Sequence, residues 1–136
     1  MNQLLCPKNI KLYNNHNYKF KHIHRNNILH YGDWGIIATN EGILTPNQIE
    51  ASRCSLSKYI KNIGKVWIKI FPTHAVTKRI KDSRMGSGKG RFLKWVYVVR
   101  PGDIIFEATF LSLKFMLKIF KSIRNKLPIK IKLIYK

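Results

Sequence analysis

A segment of alternating glycines and cations, Arg-Met-Gly-Ser-Gly-Lys-Gly at residues 84–90, most constrains what this chain can fold into. Apolar runs with the composition of β-strands lie on both sides of it, at Val66–Phe71 and Trp95–Val99. Glycine permits positive φ angles and a close approach of the backbone to a ligand, and Lys and Arg supply charge for phosphate oxygens. We therefore expect two strands joined by a loop whose backbone contacts a polyanion.

The charge balance points in the same direction. The 136-residue chain has 26 Lys and Arg residues against 6 Asp and Glu residues, which gives a net charge of +20. Because such a protein repels itself, its working state is expected to include a neutralising partner, nucleic acid first and an anionic membrane second. The acids are scattered singly, whereas two-metal nucleases and polymerases need clustered carboxylates. The composition therefore disfavours an enzyme acting on the polyanion.

The chain divides into two parts. Residues 1–31 are polar and basic without a steady apolar period, which predicts an extended arm ordered by its partner. Residues 32–136 predict a single α+β domain, with two helices packed on a mixed sheet and one long basic loop at 72–93. The predicted elements of the domain are strands at 34–39, 66–71, 94–100, 103–108 and 129–133 and helices at 45–63 and 110–126.

The first helix has the clearest local signal. Thr45 at the N-cap, Pro46 at the first helical position and Gln48 three residues after the cap predict a capping box. Apolar residues then recur at helical spacing until Gly64 ends the element. The hydrophobic pattern of the whole domain predicts a core made of Ile36, Ile49, Leu56, Ile60, Val66, Ile68, Ile70, Val96, Val98, Ile105, Phe115, Ile119 and Ile131.

Two ligand-binding alternatives fit the sequence poorly. A nucleotide-binding P-loop needs a glycine where this chain has Ser83 and a Ser or Thr where it has Gly90. A structural zinc site needs four ligands in closely spaced pairs, and Cys6, His22 and His24 lack a second pair. We expect no cofactor and no metal.

The aromatic residues and the second helix leave narrower alternatives. Trp67 is expected in the core, while Trp95 stays open between the core and a platform for base stacking. The lysines at 114, 118 and 121 are compatible with a helix lying on a membrane. Cations also occur in the arm, the first helix, the loop and the last strand, so they surround the domain instead of marking one plane. The signatures of common DNA-binding motifs are absent. The residues alone thus predict a structural RNA-binding protein of a ribonucleoprotein.

Several segments resemble one known family, the bacterial-type sixteenth protein of the large ribosomal subunit. The resemblance covers residues 32–131, and Pro7-Lys8 resembles a remnant of the family's basic N-terminal arm. The segments that carry it, in order, are Gly42–Ala51, Gly64–Pro72, Arg84–Gly90, Val99–Gly102 and Lys126–Lys130.

The resemblance implies an α/β-hammerhead fold, no enzymatic activity and burial in large-subunit rRNA beside the A-site tRNA. It implies a loop directed towards the peptidyl transferase region and the tRNA acceptor arm, formed by Arg84, Met85, Gly86, Gly88, Lys89 and Gly90. Further cations are expected to bind rRNA, namely Lys8, Arg53, Lys58, Lys61, Lys65 and Lys69. Neighbouring ribosomal proteins are the remaining expected partners, and no homo-oligomer is expected. The alternative function is a free-standing RNA chaperone or regulatory RNA-binding protein.

The departures from the family pattern bear on the compartment. The arm is rich in Asn, and the second helix is rich in Phe and Leu where the family's helix is rich in Ala, which favours a protein neighbour over it. The N-terminus predicts neither a secretory signal nor an ordinary transit peptide. Together with the abundance of Lys, Ile and Asn, these features predict a mitochondrion-encoded protein, with a plastid or a bacterial cytoplasm as the alternative.

Overall fold

The computed structural model describes residues 5–7, 28–86, 88–109 and 112–136. Its seven strands and two helices alternate along the chain from residue 34 onward. In order they are β1 (Trp34–Ala38), β2 (Gly42–Leu44), α1 (Pro46–Ile60), β3 (Val66–Ile68), β4 (His74–Lys78), β5 (Arg91–Val99), β6 (Ile104–Ala108), α2 (Leu113–Arg124) and β7 (Ile131–Tyr135).

These strands form two sheets, with the orders β3-β6-β1-β7 and β2-β5-β4. The α+β class with two helices is confirmed, but every pairing between described strands is antiparallel, so the expected single mixed sheet is divided in two. The division arises because the chain changes sheet at two turns, after β1 and after β5. Backbone hydrogen bonds hold these turns together, from Gly102 N to Ala38 O at 2.8 Å and from Ala38 N to Asp103 O at 3.0 Å. The hammerhead arrangement stays a prediction.

The prediction of one long loop at 72–93 is wrong. Residues 74–78 form β4, and β5 begins at Arg91, so only residues 79–90 connect the two strands. The pattern was missed because β4 is short and polar at both ends. Its Val76 and Thr77 are β-branched residues that favour strands, and β5 supplies the pairing partner. The predicted strand at 66–71, in contrast, ends already at Ile68.

The helices begin and end close to the predicted positions. The capping box of α1 is confirmed, since Thr45 Oγ1 accepts from Gln48 N at 3.4 Å and Gln48 Oε1 accepts from Thr45 N at 2.9 Å. Helix α1 packs against α2, β3 and β5. Within the described ranges, neither helix has the length and hydropathy that crossing a membrane requires.

The predicted core is confirmed for its central members. Val98 is only partly buried, and so are Val66, Ile68 and Ile131, which lie on the edge strands β3 and β7. Phe115 was wrongly placed in the core and is 50% exposed, because the buried stripe of α2 is Met116, Ile119 and Ile123, one residue out of phase. The predicted core residues that are buried are Ile36, Ile49, Leu56, Ile60, Ile70, Val96, Ile105 and Ile119.

Candidate nucleic-acid interface

The glycine–cation loop, residues 84–90, caps the hairpin formed by β4 and β5. Gly86 and Gly88 both have a φ of +87°, a left-handed conformation that side chains other than glycine's rarely adopt. A Cβ atom added at either position would meet nothing within 4 Å, so the glycines are there for conformation and not for want of space. The sequence prediction that these glycines permit unusual backbone is confirmed.

A cation outside the predicted set fixes the near side of this loop. The guanidinium of Arg79 donates from Nη2 to the carbonyl oxygen of Ser83 at 2.6 Å and contacts the sulfur of Met85 at 2.9 Å. The side chain thus bridges the end of β4 to the first part of the glycine–cation loop. The sequence signal for this role was only a basic residue directly after an unrecognised strand.

The loop encloses a cavity of about 290 Å³ with cationic walls. Met85 is 86% exposed, the most exposed large apolar side chain among the described residues. All six predicted loop residues line the cavity, so the structure brings them together as one surface. The lining residues are Arg79, Ile80, Ser83, Arg84, Met85, Gly86, Gly88, Lys89 and Gly90. Three of these are cations and none is acidic, an arrangement suited to phosphate groups.

The predicted rRNA-binding cations on α1 differ in how their charges are used. Lys58, Lys61 and Lys65 are exposed at the C-terminal end of α1 and in the turn that leads to β3. Arg53 instead forms a two-pronged ion pair with Glu50, with contacts of 2.6 Å and 2.9 Å. Hydrogen bonding by Arg53 lowers the pKa of Glu50, and the pKa of Arg53 is raised by the same contact. Arg53 therefore offers a partly neutralised charge to any external anion.

Lys69 is likewise engaged within the protein. Its Nζ lies 3.4 Å from Oε1 of Glu107, a side chain with no exposed surface, and 4.6 Å from the centre of the Tyr31 ring. That ring stacks on Trp67 with 5.9 Å between ring centres. Trp67 is half-buried at this place, so its prediction as a core residue is only partly met.

The other oxygen of Glu107 holds the end of the predicted arm. Oε2 accepts hydrogen bonds from the backbone N–H groups of His30, Tyr31 and Gly32 at 3.2, 2.7 and 3.1 Å. Burial acts to raise the pKa of Glu107, but the hydrogen bonds from Tyr31 and Gly32 and the charge of Lys69 outweigh it, and the pKa is lowered. A single acid of β6 therefore ties residues 30–32 and one surface cation to the domain.

The remaining arm predictions lie outside the described residues. Lys8, His22 and His24 belong to this group, and the division of the chain at residue 31 stays a prediction. In the part of the chain that the structure describes, no group of three or more His, Cys, Asp and Glu side chains lies together in a metal-binding arrangement.

An aromatic pair at the root of the hairpin was not predicted as a unit. Phe92 and Trp95 have ring centres 5.2 Å apart, and Phe92 is 44% exposed. Their sequence separation of three is unusual for neighbours on one face of a strand, so alternation alone could not reveal the contact. A β-bulge between the two residues, described below, accounts for it.

Comparison with known proteins identifies the family. The family described as "Ribosomal protein L16p/L10e" matches residues 7–134. The chain is also similar to a protein of Emiliania huxleyi named "Large ribosomal subunit protein uL16c", with 42% identity over 132 residues that cover 96% of each chain. This relative is of the chloroplast type. Family membership makes a structural, non-enzymatic role in the ribosome the established reading. The chain belongs to the ribosomal protein L16p/L10e family.

Proposed function

We propose that this protein is a structural constituent of the large ribosomal subunit, where it binds large-subunit rRNA and helps form the A-site tRNA channel near the peptidyl transferase region. Family membership supports the ribosomal part of this function. The observation that carries the tRNA part is the glycine–cation loop, which combines positive-φ backbone, an exposed Met85 and a cavity with cationic walls.

The loop suits contact with an RNA backbone better than reading of a base sequence. Backbone that is free of Cβ atoms at Gly86 and Gly88 lets phosphates approach closely, and Arg84 and Lys89 supply charge that attracts any sequence alike. The tRNA acceptor arm is such a partner, because every tRNA that enters the A site must be accepted regardless of its identity.

The rest of the proposed rRNA contact falls to cations away from the loop. Lys58, Lys61 and Lys65 are exposed on an element of the other sheet, so rRNA contacting both regions would hold the domain from two sides. Because several phosphates are neutralised at once, attachment should combine strong salt dependence of the first encounter with persistence after assembly.

The proposed compartment is an organelle. Composition and the thinned arm support a mitochondrial ribosome, while the chloroplast-type relative supports the plastid alternative. Fractionation of cells that express the tagged protein separates the two, since co-purification with mitochondrial or with plastid rRNA assigns the ribosome directly.

Sedimentation in a high-salt gradient tests the ribosomal function. We expect the tagged protein to remain with large subunits at 0.5 M salt, a concentration of the order at which proteins held only by counterion release dissociate, and to co-purify with large-subunit rRNA. Release into the upper fractions together with diverse cellular RNAs would contradict the proposal and favour the free-standing RNA chaperone.

A further inference from the structure

The pairing of β4 with β5 brings two aromatic side chains onto one face of the hairpin. Ala75 pairs with Trp95 and Thr77 pairs with Phe92, while the register shifts between Val76 and Thr77. Because Ala75 and Thr77 are two residues apart on β4, they lie on the same face, and so do their partners. The shift is a β-bulge, a device that re-aims side chains and often adjoins functional sites.

The face opposite these rings is made of small side chains. Ala75 and Thr77 add little bulk beside the aromatic pair, which leaves Phe92 44% exposed and Trp95 half-buried. The two rings are tilted by 53° with centres 5.2 Å apart, within the usual range for interacting aromatic rings. The exposed aromatic surface is thus held in a fixed geometry by the strand pairing.

The next pair along the ladder carries an unusual charge arrangement. Lys78 and Arg91 are directly opposite each other and both are exposed. Like charges at opposed positions of an antiparallel pair are destabilising. An anion bound beside them removes this repulsion, so the hairpin is better suited to a state in which a polyanion is present.

These observations together favour one kind of occupant. An apolar protein surface would cover the aromatic rings, but it would leave the two opposed cations unneutralised and partly dehydrated. An RNA strand supplies both complementary parts, a flat base for the rings and phosphates for the cations. The net charge of +20 acts in the same direction.

We propose that Phe92 and Trp95 form a stacking platform for an unpaired base of rRNA, with Lys78 and Arg91 neutralising phosphates of the same strand. The platform rests on the proposed function only in taking rRNA as the partner. It gives the hairpin a second RNA contact, at its root, that is independent of the glycine–cation loop at its tip.

The test compares two RNA ligands that differ only in their bases. The full-length chain is titrated with an unstructured eight-nucleotide oligouridine and with an abasic oligomer of the same length and charge. We expect Phe92→Leu to weaken binding of the base-bearing RNA by about 5- to 150-fold, the range for loss of one stacked base. Binding of the abasic oligomer should not change, because the cations remain.

A matched control and a second readout separate stacking from unfolding. Phe115→Leu removes an aromatic ring that is similarly exposed, on α2, and should leave both affinities unchanged. In a variant with Trp34→Phe and Trp67→Phe, Trp95 is the remaining tryptophan, and its fluorescence should be quenched by oligouridine and not by the abasic oligomer.

The outcomes distinguish this inference from the proposed function. Equal losses for Phe92→Leu and Phe115→Leu, or equal quenching by both oligomers, would overturn the platform and assign the rings to a protein neighbour. Such a result would leave retention on large subunits at high salt untouched. Conversely, release from large subunits with intact stacking would contradict the ribosomal function and leave an RNA-binding platform.

Discussion

The backbone N–H of Tyr31 donates a 2.7 Å hydrogen bond to Oε2 of Glu107, whose side chain has no exposed surface. The partners are 76 residues apart in the chain, and they join the end of the basic arm to strand β6. The adjacent N–H groups of His30 and Gly32 point to the same oxygen. One buried carboxylate thereby sets the position from which the arm leaves the domain.

Removal of this carboxylate should destabilise the domain more than any change on its surface. Glu107→Ala leaves three backbone donors without their acceptor, and breaking a buried charged contact of this kind costs about 3–5 kcal/mol. Glu107→Gln keeps one carbonyl oxygen as acceptor and loses only the charge, so its loss should be smaller. Urea denaturation of the three proteins checks the order. An equal loss for both variants would show that the backbone hydrogen bonds contribute little.

The stability of the protein should fall with pH in two steps. The pKa of His74 is lowered by burial and by the charge of Arg100, and the pKa of Glu107 is lowered as described. Both groups bind protons more readily in the unfolded chain, so their stabilising effect is present above their ordinary values of 6.5 and 4.5 and is lost below them. Unfolding free energies measured from pH 7 downward should show this decline. In His74→Gln the first step should disappear, and its persistence would assign it to another group.

The capping box of α1 predicts a smaller and local effect. Thr45→Ala removes the acceptor for Gln48 N, and a lost N-cap costs about 1 kcal/mol. Ser112 provides a matched control, because it occupies the N-cap of α2 without making a side-chain cap hydrogen bond. Thermal denaturation should show a clear loss for Thr45→Ala and little for Ser112→Ala. Similar losses for both would refute a specific role of the capping box.

The glycine–cation loop should tolerate substitution in the fold but not in function. Gly86→Val and Gly88→Val place β-branched residues at positive φ, which costs about 1–2 kcal/mol locally, without a steric clash. Since the loop is exposed, it can rearrange, and the unfolding midpoint of the domain should stay nearly unchanged. Incorporation into large subunits or accommodation of A-site tRNA should be impaired. Gly102→Val, at the turn between β5 and β6 with a φ of +88°, should instead lower the midpoint.

The sequence revealed those parts of the fold that depend on local pattern. The capping box, the α1 stripe around Ile49 and Leu56, and the need for positive φ near Gly86 follow from side-chain chemistry within a few residues. These features were predictable because neighbouring residues alone decide them.

The parts that were missed depend on partners distant in the chain. The strand β4 is stabilised by pairing with the extension of β5, and the bulge that aligns Phe92 with Trp95 exists only in that pair. Lys69 resembles an exposed RNA-binding cation until Glu107 and Tyr31 are placed beside it. Sequence separation hides such contacts, because no periodicity within one segment reports the charge or register of another.

The position of Met85 in a working ribosome tests the account most directly. In a variant with Cys6→Ser and Cys54→Ser, Met85→Cys supplies a single cysteine for a photoactivated cross-linker, and Leu117→Cys on α2 supplies an exposed control. Both variants are assembled into large subunits that lack the endogenous protein, and the A site is filled with tRNA. We predict a cross-link from residue 85 to the tRNA acceptor arm that requires A-site tRNA, and none from residue 117. Cross-links from residue 85 to rRNA or protein alone, unchanged by tRNA, would contradict a role of the loop in the A-site channel.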